Sequence, residues 1–92
     1  IEFTLHQNFP NPFNPFTTFH YDIPVNSMVN ITIYDMLGRT IKTLINQPQD
    51  AGNKSITWDA TDDYGKLVSA GIYVYQIQSG TYISTKKMAL LK

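Results

Sequence analysis

Cysteine is missing from the 92 residues of this chain. Its absence excludes disulfide bonds, thiol nucleophiles and cysteine-ligated metal sites. An excess of charge of either sign is missing too, because seven basic residues balance seven acidic ones. A chain without an overall electrostatic field has little attraction for nucleic acid or for an anionic membrane, so we expect neither partner. No apolar run approaches the roughly 20 residues that cross a bilayer, so we expect no membrane-spanning segment.

The residues that are present are those of a globular protein. Hydrophobic residues make up 42% of the chain and aromatic residues 13%, which is enough to build a packed core. The length predicts one domain, residues 1–92, that buries about 60–65% of the surface of its unfolded chain. Since the chain opens with Ile1 rather than methionine, we expect it to be a segment of a longer precursor.

Strand patterns dominate the sequence, and no window of about 11 residues or more keeps an apolar stripe at helical spacing. Phe19, Tyr21 and Ile23 alternate with polar residues in a predicted strand over 18–23. The same alternation over 29–33 predicts a second strand that returns antiparallel beside the first. Further strands are predicted over 40–45, 54–58, 72–77 and 81–91, with a polar loop over 46–53.

Turn residues and aromatic residues complete the fold prediction. Gly38 is expected to take a positive φ in a tight connection, and Ser79-Gly80 is expected to close the last hairpin. Residues 72–77 are apolar on both faces, which is typical of a central strand. The only tryptophan, Trp58, is expected at the centre of the core. About seven short strands in roughly 90 residues predict an all-β fold, an Ig-like antiparallel β-sandwich.

A proline-rich segment precedes the first predicted strand. Three prolines fall within residues 9–15, and each lacks an N–H group and has a fixed φ. We therefore expect this segment to run extended beside another element and to protect a sheet edge. Residues 1–16 are interpreted as a lead-in to a sandwich over 17–92. Three phenylalanines are expected to lie over the open end of the sandwich: Phe9, Phe13 and Phe16.

An acidic cluster after Trp58 is the candidate metal site of the chain. It consists of Asp59, Asp62 and Asp63. Calcium prefers several carboxylate oxygens from one loop, but the spacing does not follow the EF-hand pattern. Aspartates in turns also accept hydrogen bonds from nearby backbone groups. A structural turn without metal is the favoured interpretation, and no cofactor is expected.

Residues for catalysis are present but scattered. A nucleophile, a base and an orienting group would have to lie within hydrogen-bond reach. His6 and His20 belong to different segments, and the sequence has no Gly-x-Ser-x-Gly elbow and no phosphate-binding glycine loop. We therefore expect no enzyme. Tyrosines could form a carbohydrate-binding face, although packing explains the same residues more simply: Tyr34, Tyr64, Tyr73, Tyr75 and Tyr82.

Lysines cluster at the end of the chain. Lys86 and Lys87 lie in the last predicted strand, and Lys92 follows it. Charged side chains on an edge strand discourage pairing with other chains. The lysines could instead belong to a recognition signal, and the residue pattern leaves both interpretations open.

Four short motifs occur along the chain. They are Asn-Phe-Pro-Asn-Pro-Phe-Asn-Pro over 8–15, Asp-Met-Leu-Gly-Arg over 35–39, Ser-Ala-Gly-Ile-Tyr over 69–73 and Thr-Lys-Lys-Met over 85–88. Together they resemble the C-terminal sorting domain of proteins exported by type IX secretion in Bacteroidetes-like bacteria. The Ig-like domain of the flagellar hook-capping protein shares much of the pattern. The resemblance covers nearly the whole chain.

This resemblance implies a targeting function rather than a chemical activity. A domain of this kind directs an N-terminal cargo protein through the outer-membrane translocon. A sortase-like peptidase then removes the domain, and the cargo is attached to the cell surface or released. The implied route is transiently periplasmic and ends at the cell surface or outside the cell. The hook-capping relatives imply an alternative, a structural assembly module, and a carbohydrate-binding accessory domain is a further alternative.

The resemblance also implies where recognition takes place. We expect the export machinery to recognise a folded surface formed by residues 71–92 rather than an unfolded tag. The positions that the resemblance assigns to recognition are Pro10, Asn11, Pro12, Phe13, Asn14, Pro15, Gly38, Arg39, Gly71, Tyr73, Lys86, Lys87 and Lys92.

Overall fold

The computed structural model describes residues 2–91 and consists of two antiparallel β-sheets that enclose one core. The strands are β1 (Thr4–Leu5), β2 (Thr17–Ile23), β3 (Ser27–Asp35), β4 (Thr40–Gln49), β5 (Gly52–Trp58), β6 (Gly71–Ser79) and β7 (Tyr82–Leu90). These seven strands confirm the predicted all-β sandwich. Within residues 2–91 no helix is long and apolar enough to cross a membrane.

The sheet topology corrects one predicted pairing. The smaller sheet has the strand order β1-β2-β5, and the larger sheet has the order β4-β3-β6-β7. The predicted antiparallel pairing of residues 18–23 with 29–33 is wrong, because β2 and β3 belong to different sheets. Alternation indicates which face of a strand is buried but not which sheet the strand joins. The link over 24–26 crosses between the sheets, so the buried faces of β2 and β3 meet across the core.

The predicted loop over 46–53 is also wrong. β4 continues to Gln49, and β5 begins at Gly52. β4 is an edge strand of the larger sheet, so polar residues such as Asn46 and Gln47 can face solvent there. Pro48 is tolerated for the same reason, since an edge strand needs hydrogen bonds on one side only. The polar composition of this edge therefore concealed a strand.

The core takes alternate residues from the strands of both sheets. Trp58 is 1% exposed, as expected of a central core residue. Its ring packs edge-on against Tyr73 with ring centroids 5.7 Å apart. Phe19 and Tyr75 form a second aromatic pair, with centroids 4.5 Å apart. Such pairs contribute about 0.5–1.5 kcal/mol each beyond their burial. These two pairs join β5 and β2 of the smaller sheet to β6 of the larger sheet.

The position of β6 confirms two further predictions. β6 lies between β3 and β7, as expected of a central strand. Ser79 pairs with Tyr82 around Gly80, which confirms the last hairpin. The outward face of β6 is nevertheless open, because Ile72 is 47% exposed and Val74 is only partly buried. The apolar pattern on both faces therefore leaves apolar side chains on the outside of the larger sheet.

Candidate binding groove on the larger sheet

The lead-in contacts both sheets of the sandwich. Its first part forms β1, an unpredicted strand that pairs with β2. Its second part lies beside the outer edge of β7, where Phe13 N–H donates to Ala89 O (3.0 Å) and Phe13 O accepts from Leu91 N–H (2.8 Å). The side-chain oxygen of Asn11 accepts from Ala89 N–H at 3.0 Å. The expectation that the proline-rich part lies beside a sheet edge and protects it is confirmed.

Only one of the three phenylalanines closes the sandwich. Phe13 is 2% exposed and packs against Trp58 with ring centroids 5.8 Å apart. Phe9 and Phe16 are 77% and 58% exposed, so the expectation that they lie over the open end is wrong. Phe9 forms a bridge with Thr18, whose side chain is on the outer side of β2, and Phe16 precedes the inward-facing Thr17. Alternation therefore directs both rings outward.

A buried polar cluster fixes the middle of the lead-in, just after β1. Asn8 is 2% exposed, and its backbone N–H donates to the hydroxyl oxygen of Tyr75 at 2.8 Å. The Tyr75 hydroxyl in turn donates to His6 O at 2.9 Å. The Asn8 side chain donates to Thr17 Oγ1 at 2.9 Å, and that hydroxyl donates to Pro10 O at 2.8 Å. Burial raises the pKa of Tyr75 to about 12, so its hydroxyl keeps its proton at neutral pH.

The turn between β3 and β4 is organised by one carboxylate. Asp35 Oδ1 accepts from the backbone N–H groups of Leu37 and Arg39, both at 2.9 Å. Asp35 Oδ2 accepts from Arg39 Nε at 2.7 Å. Gly38 has φ 84°, which confirms the predicted positive φ. The hydrogen bond from the Arg39 backbone, above all, holds the pKa of Asp35 below its ordinary value of 3.8.

We predict that acid weakens the fold. Asp35 and Asp59 both have a lowered pKa in the folded chain, Asp59 chiefly because the Thr61 hydroxyl donates to it. A lowered folded-state pKa stabilises the fold above the unfolded pKa of 3.8, and this contribution is lost as the pH falls through the folded pKa. The midpoint of urea unfolding should therefore be lower at about pH 2.5 than at about pH 6. Asp35→Asn should show a smaller drop, and a wild-type midpoint that does not change with pH would contradict the prediction.

The acidic cluster after Trp58 is engaged by backbone and hydroxyl groups. Asp59 Oδ1 accepts from Thr61 N–H at 3.2 Å. Asp62 Oδ1 accepts from the N–H groups of Tyr64 and Lys66 at 2.9 and 3.0 Å. Asp63 Oδ1 accepts from Thr43 N–H of β4 at 3.1 Å. In the described part of the chain, no three acidic, histidine or cysteine side chains are grouped so that they could hold a metal ion. This geometry favours the structural turn.

The tyrosines do not form one exposed platform. Tyr73 and Tyr75 are buried in the core, and the ring of Tyr82 stacks on Phe3 with centroids 5.0 Å apart. Tyr34 is partly buried on β3. Tyr64 is 94% exposed, but it lies in the acidic turn. Packing therefore accounts for most of these rings.

A shallow groove of about 430 Å³ lies on the outer side of the larger sheet, next to the lead-in. The side chains that line it come from all four sequence motifs and from the residue after the last of them: Asn11, Pro12, Met36, Ile72, Lys87, Met88 and Ala89. Its surface is mainly apolar, with one cation, Lys87. The fold thus brings distant motifs of the sequence to one surface.

The groove contains some of the predicted recognition residues and not others. Asn11, Pro12 and Lys87 line it directly. Four others are close in sequence to a lining residue: Gly38 and Arg39 lie in the same turn as Met36, and Gly71 and Tyr73 flank Ile72. Phe13 is buried in the core. Lys86 is on the inner side of β7, opposite Tyr75. Pro10, Asn14 and Pro15 are exposed outside the groove, and Lys92 lies outside the described residues.

Sequence reasoning missed the apolar lining of the groove. Met36, Ile72 and Met88 were each part of a motif but were not assigned to recognition, and neither was Ala89, which follows the last motif. Ile72 and Ala89 are directly opposite each other on β6 and β7. The signal that could have identified them is that residues 72–77 are apolar on both faces. In a two-sheet sandwich only one face of a strand is covered by the other sheet, so the second apolar face must be exposed.

Solved structures with a similar fold include the following three. Latent dimeric PorU from Porphyromonas gingivalis matches 99% of this chain with a TM-score of 0.72 and 24% identity. PorZ, a surface component of the type IX secretion system of the same organism, matches 98% with a TM-score of 0.65 and 17% identity. FlgD from Xanthomonas campestris matches 95% with a TM-score of 0.66 and 24% identity. The chain spans 10% of PorU, 11% of PorZ and 65% of FlgD.

No curated protein matches the chain. The model of one protein family does match, and it covers residues 17–82, from the start of β2 to the start of β7. That stretch includes strands β2 to β6, which come from both sheets, and the turn around Gly38. The Ig-like character of the sandwich is confirmed by this match and by the shared fold of FlgD. The chain belongs to the family of FlgD Ig-like domains.

Proposed function

We propose that this chain is a C-terminal sorting domain that directs an N-terminal cargo protein through the outer-membrane translocon of a type IX secretion system. The observation that carries the proposal is the groove. Most of its lining lies outside the family match over 17–82, in the lead-in and in the last part of β7: Asn11, Pro12, Lys87, Met88 and Ala89. The similarity in fold to PorZ, a surface component of such a system, also supports the proposal.

The proposed domain is a targeting signal that catalyses no reaction itself. It is not an enzyme and uses no cofactor. Of the two histidines, His6 pairs through Nε2 with Asp22 Oδ2 at 2.8 Å on the outer side of the smaller sheet. The proposed partners are the cargo domain, the translocon and a sortase-like peptidase. The proposed route passes through the periplasm and ends at the cell surface or outside the cell.

The proposal is tested with a fusion protein. Residues 1–92 are joined to the C-terminus of a periplasm-targeted reporter in a bacterium that has a type IX system. We expect the reporter to reach the cell surface or the medium. It should stay in the periplasm when the translocon is deleted, and likewise when the reporter lacks residues 1–92. Retention of the complete fusion in the periplasm of the wild-type strain would refute the export function.

A structural assembly module is the second candidate function. The family match favours it, as does the similarity to a FlgD whose structure is connected with hook capping in flagellar assembly. This function predicts that the purified domain binds flagellar hook subunits and that the reporter fusion is not exported. Sedimentation of the domain with assembled hooks, alongside the export measurement, distinguishes the two functions.

A further inference from the structure

The outer faces of the two sheets differ in composition. On the smaller sheet, the outward positions of β2 and β5 are polar: Thr18, His20, Asp22, Asn53, Ser55 and Thr57. On the larger sheet, the outward positions of β6 and β7 are mostly apolar or uncharged: Ile72, Val74, Gln76, Gln78, Ile83, Thr85, Lys87 and Ala89. Lys87 is the single charged residue in this second set. Surfaces depleted of charge and rich in apolar side chains are typical of protein interfaces.

The groove concentrates the apolar part of this face. Met36 is 55% exposed and Ile72 is 47% exposed, and Pro12 and Ala89 complete the apolar lining. Each of these side chains belongs to an element with fixed geometry: a β-strand, the turn organised by Asp35, or the lead-in bonded to β7. A groove held in this way is preformed, so a ligand loses little free energy in ordering it.

The charge of the groove selects the chemistry of its partner. Lys87 is the only charged lining residue. The ion pairs of residues 2–91 are His6 with Asp22 and Arg39 with Asp35, so no carboxylate among these residues pairs with Lys87. A carboxylate from a partner would complement the lysine without removing an existing bond. The apolar floor and the single cation together fit a segment with an apolar side chain and a neighbouring carboxylate.

A second copy of this chain is a poor occupant by comparison. In a two-fold symmetric dimer the same patch contacts itself. That contact would bring the two Lys87 side chains to one interface, and the lining of the groove supplies no carboxylate to neutralise them. The charge therefore favours a different protein.

We infer that the groove binds a peptide segment of the export machinery in which an apolar side chain lies next to an aspartate or glutamate. The inference rests on the proposed export function. The apolar side chain contacts Ile72 and Met36, and the carboxylate lies at Lys87. The groove is in this way a specific contact within the broader surface that the translocon recognises.

The reporter fusion tests this contact with matched variants. Ile72→Glu places a carboxylate in the apolar floor and should lower the rate of export about tenfold or more, because the apolar side chain of the partner would then pack against a charged group that also competes for Lys87. Lys87→Ala should lower it about two- to fivefold, the factor of an exposed ion pair, and Lys87→Arg should restore it. Ile83→Glu is the control, since Ile83 is 56% exposed on the same face but does not line the groove. The unfolding midpoints of all variants should stay close to that of the wild type.

A photocrosslinker identifies the occupant. With p-benzoylphenylalanine at position 72 of the fusion, we expect a crosslink to a translocon protein, at a segment that contains an aspartate or glutamate beside an apolar residue. Export of the folded Ile72→Glu variant at the wild-type rate would refute the groove contact alone. A crosslink between two copies of the chain, or to a segment without acidic residues, would refute it as well. Retention of the wild-type fusion in the periplasm would refute the export function, and the groove inference with it.

Discussion

Replacing Phe13 by alanine is expected to destabilise the domain by about 3–5 kcal/mol, the range for truncating a buried phenylalanine. Phe13 is 2% exposed, and its backbone makes two hydrogen bonds to the edge of β7. Truncation leaves a cavity beside Trp58 that the rigid proline-rich backbone cannot easily fill. Small domains have only about 5–15 kcal/mol of stability in total. We therefore expect a large fall in the urea midpoint and partial unfolding at physiological temperature.

The control for this prediction lies in the same segment. Phe9→Ala removes the same side chain from a position that is 77% exposed, and its effect should be within about 0.5 kcal/mol. The comparison tests whether the lead-in belongs to the folding unit. A loss below about 1 kcal/mol for Phe13→Ala would mean that the lead-in is only loosely attached to the sandwich.

Tyr75→Phe is expected to cost about 1–3 kcal/mol although it removes one oxygen atom. The Tyr75 hydroxyl accepts from Asn8 N–H and donates to His6 O. Without it, the buried Asn8 N–H loses its partner inside the protein, where water cannot replace it. The lead-in should then open more often, which would appear as faster amide hydrogen exchange at Asn8 and Phe13.

Tyr64→Phe is the matched control for the hydroxyl. Tyr64 is 94% exposed, so the loss of its hydroxyl should change the free energy of unfolding by less than about 0.5 kcal/mol. If Tyr75→Phe were equally neutral, the buried polar cluster would not be what holds the lead-in in place. Exchange that accelerates across the whole core, rather than first in the lead-in, would point to a general packing role for Tyr75.

Much of the fold could be predicted from periodicity and turn chemistry. Alternation located β2 and β3 well, and Gly80 and Gly38 marked two turns that the structure contains. The pairing of β2 with β3 failed because alternation carries no information about sheet membership. The end of β4 was missed since an exposed edge strand can have the polar composition of a loop. The first error concerns the relation between two elements, and the second concerns the extent of one element.

The candidate site was harder to predict for a similar reason. The resemblance identified motifs, but it could not separate residues that hold the fold from residues that face a partner. Phe13 and Tyr73 are buried in the core, whereas Pro12 and Lys87 line the groove. Ile72 was not assigned to recognition, because the resemblance pointed to Gly71 and Tyr73 on either side of it. That separation depends on which strand positions face outward, and it requires the sheet order.

The lead-in connects stability with the proposed recognition. Its buried Phe13 closes the core, while the adjacent Asn11 and Pro12 form one wall of the groove. Loss of the lead-in from the edge of β7 would therefore remove part of the binding surface and expose an edge strand at the same time. For this reason, variants that test recognition must be confirmed as folded.

The most direct test of the account is the export of the reporter fusion as a function of folding. The fraction of reporter outside the cell, per molecule of intact fusion, is measured for the wild type and for Phe13→Ala over a range of growth temperatures. The fraction of folded domain is measured separately on the purified proteins at the same temperatures. If a folded surface is recognised, export of Phe13→Ala should fall in step with its folded fraction, while the wild type is still exported. Undiminished export of an unfolded Phe13→Ala domain would show that the signal is a linear tag and would contradict the account.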